Sequence, residues 1–179
     1  MRRRWRRGTE AGLALDALTG PAMLPALPAF AQLAVGTADR HGTRLYGADM
    51  LLQLAAVPGA VLLAARHQSE LVGGIYGWLH EGRLSLWASG VDYEHDLARS
   101  VYTWLMTEAP RWAIDQGAHT IDAGRANYQA KARFGYRPHV LRTVIHLPGH
   151  QLVTANALTR LSKRLGEQAL PYLAPGATW

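Results

Sequence analysis

Between residues 60 and 91 the chain makes three short apolar runs, "AVLLAAR" (60–66), "LVGGIYGWLH" (71–80) and "RLSLWASGV" (83–91), separated only by "HQSE" and "EG". Runs this short and partly alternating suit strands better than helices. Connections of four and two residues admit only hairpins, because a parallel crossover needs a dozen residues or more. The segment is therefore expected to be an antiparallel meander, and the rest of the fold has to cover it. Gly73, Gly74 and Gly77 would weaken the middle strand, so they mark a bulge or a place where another backbone or a ligand lies close.

Helical periods flank the meander. "PAMLPALPAFAQLAVGTADRHG" reads as a proline-broken lead into a helix closing near Gly42, and "ADMLLQLAAV" as a second, shorter helix ended by Pro58 and Gly59. "LALDAL" (13–18) fits either a short strand or a helical turn. After the meander, "HDLARSVYTWLMTEAPRWAIDQG" places Leu97, Val101, Leu105 and Trp112 on one face of a long helix. Pro110 is expected to kink or divide it. "HTIDAG" follows as a strand, "ANYQAKARF" as a short helix, "HVLRTVIHL" as a strand, and "QLVTANALTRLSKRLGEQAL" as an amphipathic C-terminal helix. The order predicts an α+β fold with helices covering a mixed central sheet. Residues 1–150 read as one domain with a basic tail over 1–8, and 151–179 as a helix and tail packed on the same domain.

Composition narrows the function. The net charge is +6, but five arginines lie in "MRRRWRR", and six minus five leaves +1 for the remainder. Clustered arginines suit phosphate on tRNA or anionic lipid; they equally suit a solvated tail, which is the reading taken. Glu10, Asp16 and three prolines by residue 28 argue against a signal peptide. No apolar run of about 20 residues suggests a membrane span. The absence of cysteine excludes disulfides, thiolate metal sites and a Cys nucleophile, and suits a cytoplasmic location. The eight histidines show no H-x-x-x-H spacing, so no metal site is assigned. Trp78, Trp87, Trp104 and Trp112 lie inside strand and helix patterns and are expected in the core.

The order of elements resembles the GNAT acyltransferase fold, most of all its FemAB-like branch of peptidoglycan-type aminoacyl and acyl transferases. The resemblance is carried by "RRRWRR" and the apolar stretch after it, "RHGTRLYGADML", the core from "LLAARHQ" to "HTIDAG", and "NYQAKARFG", in which a lysine precedes Phe-Gly. Together these cover most of residues 1–147, and they resemble the C-terminal of two tandem units. A chain with one unit is expected to stand alone, to be a fragment of a longer protein, or to dimerise.

The resemblance implies transfer of an acyl or aminoacyl group to an amine, on a small molecule or a cell-envelope precursor. Lys131 would neutralise charge on the donor or on the tetrahedral oxyanion, a task suited to a compact, mobile cation. Asp122 is the best-placed base, with His80 and Glu81 as weaker candidates in a hairpin turn; a strand-terminal aspartate also caps turns. Tyr128 would protonate the leaving group. A backbone amide near Ala88, Ser89 or Gly90 would hold the oxyanion, and Arg44 and Tyr46 would border the acceptor. Acyl-CoA is the expected co-substrate. Yet "GVDYEHDLARS" puts Asp92, Glu94 and Asp96 where a glycine-rich loop would hold pyrophosphate, and only Arg99 partly compensates. Aminoacyl-tRNA, a carrier-protein thioester or no donor therefore stay open. The rival reading is a catalytically silent binding module for a partner protein or an envelope precursor.

Overall fold

In the computed structural model the residues described are 1–41, 47–125, 127–139 and 152–173. They fall into two compact units, Met1–Gly124 and Arg125–Trp179.

The first unit is built on a five-stranded sheet in the order β1 (Ala14–Thr19), β2 (Ala60–His67), β3 (Glu70–His80), β4 (Arg83–Val91), β5 (Thr120–Asp122). The first four strands run antiparallel, and β5 joins β4 in parallel. The mixed sheet and its meander are those expected from the sequence. "LALDAL" resolves to strand: β1 pairs along β2 from Ala14↔Arg66 to Thr19↔Val61.

Helices α2 (Leu27–Arg40) and α3 (Ala48–Leu54) cover one face. Phe30, Leu27, Met23 and Leu51 pack there on Leu62 and Tyr76, all of them fully buried. Burying each such side chain is worth roughly 1.5–3 kcal/mol. Helix α4 (Ala98–Asp115) covers the other face. Gly73 and Gly74 are the points of closest approach: an added Cβ would stand 2.5 Å from Val101 of α4 and 3.1 Å from Phe30 of α2, respectively. Gly73 and Gly74 thus admit the helices on the two faces, while Gly77 lies against the β4 backbone at Ser85.

Two expectations need correction here. Pro110 does not divide α4, which runs unbroken through it with Met106, Ala109 and Ala113 buried on either side. The basic "tail" is helix α1 (Arg2–Glu10), packed along α4. Its register on α4 is fixed by Trp5, whose Nε1 donates to Glu108 Oε1 at 2.6 Å, and by buried Gly8, where an added Cβ would meet Leu13 and Trp104 at 2.9 and 3.0 Å. The arginines face water and conceal this docking face from a charge-based reading.

The second unit contains α5 (Tyr128–Arg133) and α6 (Leu152–Ala169). The strand expected at "HVLRTVIHL" lies outside the described residues, apart from His139.

Candidate active site

The parallel pairing of β4 with β5 lasts only three positions, from Arg83↔Thr120 to Ser85↔Asp122. β4 then continues to Val91, and among the described residues no strand pairs with 86–91 on that side. β4 is also bulged: Leu86 faces Gly77 and Ala88 faces Tyr76, leaving Trp87 as an extra residue. The bulge resets the pleat, and Trp87 comes onto the α2 face beside Trp78 and Tyr76, with ring centroids 5.6 and 6.4 Å away. At 40% exposed, Trp87 is not the core residue expected.

Backbone alternation identifies which amides face the open edge. Asp92 N–H donates to Val72 O on the β3 side, so Gly90 and Ala88, two and four residues back, also point toward β3. Val91 N–H points the other way, to Thr37 Oγ1 of α2 at 3.0 Å. Ser89 shares the orientation of Val91. Of the three amides near which an oxyanion donor was expected, Ser89's is the one directed at the edge. Gly90 is buried instead under α2, where an added Cβ would be 2.7 Å from Ala34 N.

Asp122 ends β5 at the point where the strands part. Its Oδ2 accepts Arg83 Nη2 and its Oδ1 accepts Gly124 N–H, each at 2.9 Å. Both oxygens are therefore engaged, one in an ion pair and one in the turn after the strand. His80 and Glu81 stand exposed in the β3–β4 turn, 3.7 Å apart. In the second unit, Lys131 Nζ donates to Arg125 O at 2.7 Å, and Tyr128 is the first residue of α5, half-buried. Arg44 and Tyr46 lie outside the described residues.

The segment between β4 and α4 is where pyrophosphate would be held. Asp92 N–H is bonded to β3 as above, Glu94 N–H donates to Asp92 Oδ1 at 3.0 Å, Leu97 N–H to His95 Nδ1 at 3.1 Å, and Ala98 N–H to His95 O at 2.9 Å. Side chains and local turns thus already engage four amides of the segment where a phosphate would be held, those of Asp92, Glu94, Leu97 and Ala98. His95 Nε2 lies 3.2 Å from His67 Nδ1, with the rings edge to face. Because Nδ1 of His95 accepts, a neutral His95 carries its proton on Nε2 and donates it to His67. Arg7, His67, Glu94, His95 and Asp96 surround a shallow depression of about 610 Å³ beside these groups. Glu94 and Asp96 bring negative charge, and Arg99 is exposed on the first turn of α4. These residues do not fit the usual amide cradle for the pyrophosphate of acyl-CoA. Among the described residues no group of three His, Cys, Asp or Glu side chains could hold a metal ion.

One buried feature escaped the sequence reading. Tyr76 Oη and Trp78 Nε1 are buried without hydrogen-bond partners among the described residues. Burial holds the Tyr76 phenol above its ordinary pKa of 10.0.

A family model described as an acetyltransferase (GNAT) domain matches residues 1–132. The chain belongs to this GNAT family. Its α+β mixed sheet flanked by helices is the GNAT-like fold, and GNAT membership supports N-acyltransferase activity in general terms. The match is to the domain as a whole and selects no branch within it. Similar solved structures include an aminoglycoside acetyltransferase from an uncultured soil metagenomic sample, crystallised with sisomicin, at 15% identity and TM-score 0.51, over 76% of this chain and 95% of that one. A ribosomal-protein-alanine N-acetyltransferase from Brucella melitensis biovar Abortus 2308 aligns at 16% identity and TM-score 0.54, over 77% and 100%. The C-terminal domain of a putative lysylphosphatidylglycerol synthetase from Agrobacterium fabrum aligns at 14% and 0.57, over 70% of this GNAT chain and 40% of that one. At these identities the likeness is one of fold. A comparison with curated proteins found no match. No helix among the described residues is long and apolar enough to cross a membrane.

Proposed function

We propose that this GNAT domain transfers an acyl or aminoacyl group to an amine at the edge of β4 beyond its pairing with β5, from a donor that is not anchored through a pyrophosphate. The observation that carries the reading is the β4 edge beyond Ser85↔Asp122, toward which the Ser89 N–H is directed. An acyl carbonyl lying along this edge would meet the Ser89 amide as a fixed donor to its developing oxyanion. The amine attacks the carbonyl carbon, the tetrahedral oxyanion collapses, the donor's ester or thioester bond breaks, and the amine's proton leaves through a base. Asp122 stands at the parting of β4 and β5 and is proposed as that base, although it must release Arg83 or the Gly124 turn to act. Lys131 is proposed to stabilise charge on the donor or oxyanion, and Tyr128 to protonate the leaving group. A FemAB-like donor, aminoacyl-tRNA, agrees with amides that are already engaged before α4.

The full chain, incubated with a charged-tRNA pool and a panel of small amines, should yield an acylated amine detectable by mass spectrometry, and acetyl-CoA in place of the tRNA pool should not. Ser89→Pro deletes the edge amide without removing a bond to β3, and should lower turnover by about 10²–10³-fold. Unchanged turnover in a folded Ser89→Pro variant would remove the basis of this mechanism. The second reading, a binding module without catalysis, is favoured by the engaged amides and carboxylates before α4; it leads if neither donor gives product.

A further inference from the structure

Every position of α1 from residue 2 to residue 7 is arginine except Trp5, and Arg2, Arg3, Arg4, Arg6 and Arg7 are all exposed. Among the described residues, none of the five has an acidic partner within ion-pair distance. At about 100° per residue, Arg2, Arg6, Arg3, Arg7 and Arg4 fall at roughly 0°, 40°, 100°, 140° and 200° around the helix. Trp5 and Gly8, at about 300° and 240°, form the side that docks on α4. The water-facing arc of α1 is thus cationic over residues 2–7, and exposed Glu10, at about 80°, is its one carboxylate.

We infer that this arc is a binding surface for the phosphate backbone of a folded RNA. A fan of about 200° meets phosphates on two walls of a groove, whereas a flat lipid surface touches only the side chains near its middle. A membrane-anchoring residue is also missing from the arc: Trp5 is turned inward, bonded to Glu108 and covered by the Arg111 guanidinium 4.9 Å from its ring. Guanidinium forks engage phosphate oxygens in pairs and read no sequence, so the contact is with the backbone alone.

The location favours RNA over DNA. Arg7 belongs both to the arc and to the rim of the depression before α4. The cationic surface therefore reaches one side of this depression, whose other side carries Glu94 and Asp96. An RNA strand ends in a ribose whose neighbouring hydroxyls can carry an activated acyl ester, and this choice of polyphosphate rests on the acyl-transfer reading above. The phosphate surface itself does not depend on it.

Fluorescence anisotropy of the full chain with a labelled, unacylated tRNA pool tests the surface without any chemistry. With five contacts, log affinity should fall against log salt with a slope of about −3.5 to −4.5. Arg3→Gln/Arg4→Gln/Arg6→Gln replaces exposed side chains only, so it should keep the wild-type Tm, weaken binding by about tenfold to a hundredfold at 0.1 M salt, and lower the slope by about 2–3. Lysine at the same three positions should keep most of the slope. The proposal is overturned if the glutamine variant binds as wild type, or if anionic vesicles or a DNA duplex bind as tightly as the tRNA pool. RNA binding that persists in a chain without transferase activity sinks the transfer reading and leaves the surface standing.

Discussion

The Thr37 hydroxyl of α2 accepts the Val91 amide of β4 at 3.0 Å, with Thr37 itself buried. This bond spans 54 residues and fastens a covering helix to β4 beyond the end of its pairing with β5. It also caps one of the edge amides, leaving Ser89 as the next with that orientation.

Thr37→Val keeps the shape and removes the acceptor, so the Val91 amide would be left unpaired beneath α2. An unsatisfied buried donor costs about 1–3 kcal/mol, and the urea midpoint should fall by that amount divided by an unchanged m-value. Thr37→Ser should lose much less. Equal losses in the two variants would mean that the methyl group matters and the hydroxyl does not.

Tyr76 gives the opposite prediction. Its Oη is buried with no partner among the described residues, so Tyr76→Phe removes an unsatisfied polar atom from the core, and stability should hold or rise by up to about 1 kcal/mol. The pH dependence follows from the raised pKa of this phenol, caused by burial. Below about pH 10 the folded and unfolded chains both carry the proton and the group contributes no difference. Above it the unfolded chain releases the proton first, so stability is lost as pH rises from 10 toward the folded pKa. The Tyr76→Phe variant should show a shallower alkaline decline in Tm than wild type. Superimposable declines would contradict the burial argument.

Gly90→Ala should be disruptive where Gly36→Ala is mild. The added Cβ at 90 would press on the α2 backbone at 2.7 Å from Ala34 N, while nothing lies within 4 Å at Gly36. Overpacking of this kind costs about 1–3 kcal/mol, whereas alanine in a helix interior gains up to about 1 kcal/mol over glycine. Thermal denaturation of the two variants separates these signs.

The sequence carried the β2–β4 meander clearly, because its turns are too short for any other connection. β1 was ambiguous, since Asp16 inside "LALDAL" breaks an apolar run and strand character came from pairing with β2. α1 was hidden for a different reason: its docking residues, Trp5, Gly8 and Thr9, are outnumbered by arginines that face water. At the candidate site, the carboxylates before α4 were legible as a mismatch to pyrophosphate. The engaged amides were not, because a bond such as Leu97 N–H to His95 Nδ1 depends on the fold of the turn. The bulge at Trp87 was equally invisible, yet it decides that the amides of Ala88 and Gly90 face β3 while that of Ser89 faces the edge.

Those engaged amides make the last prediction. If the turn before α4 is satisfied internally, CoA gains few backbone bonds there and meets Glu94 and Asp96 as like charges. A ligand present at 100 times its Kd stabilises by about 2.7 kcal/mol, an easily read rise in Tm. Millimolar CoA should therefore leave the Tm of wild type unmoved. Glu94→Gly/Asp96→Gly removes both carboxylates without touching the Leu97–His95 bond. That variant should still fail to bind CoA if the occupied amides are the barrier, and should begin to bind if charge alone was excluding the phosphate. A clear CoA-dependent shift in the wild type would show that the turn opens for a pyrophosphate, and would return acyl-CoA to first place among donors.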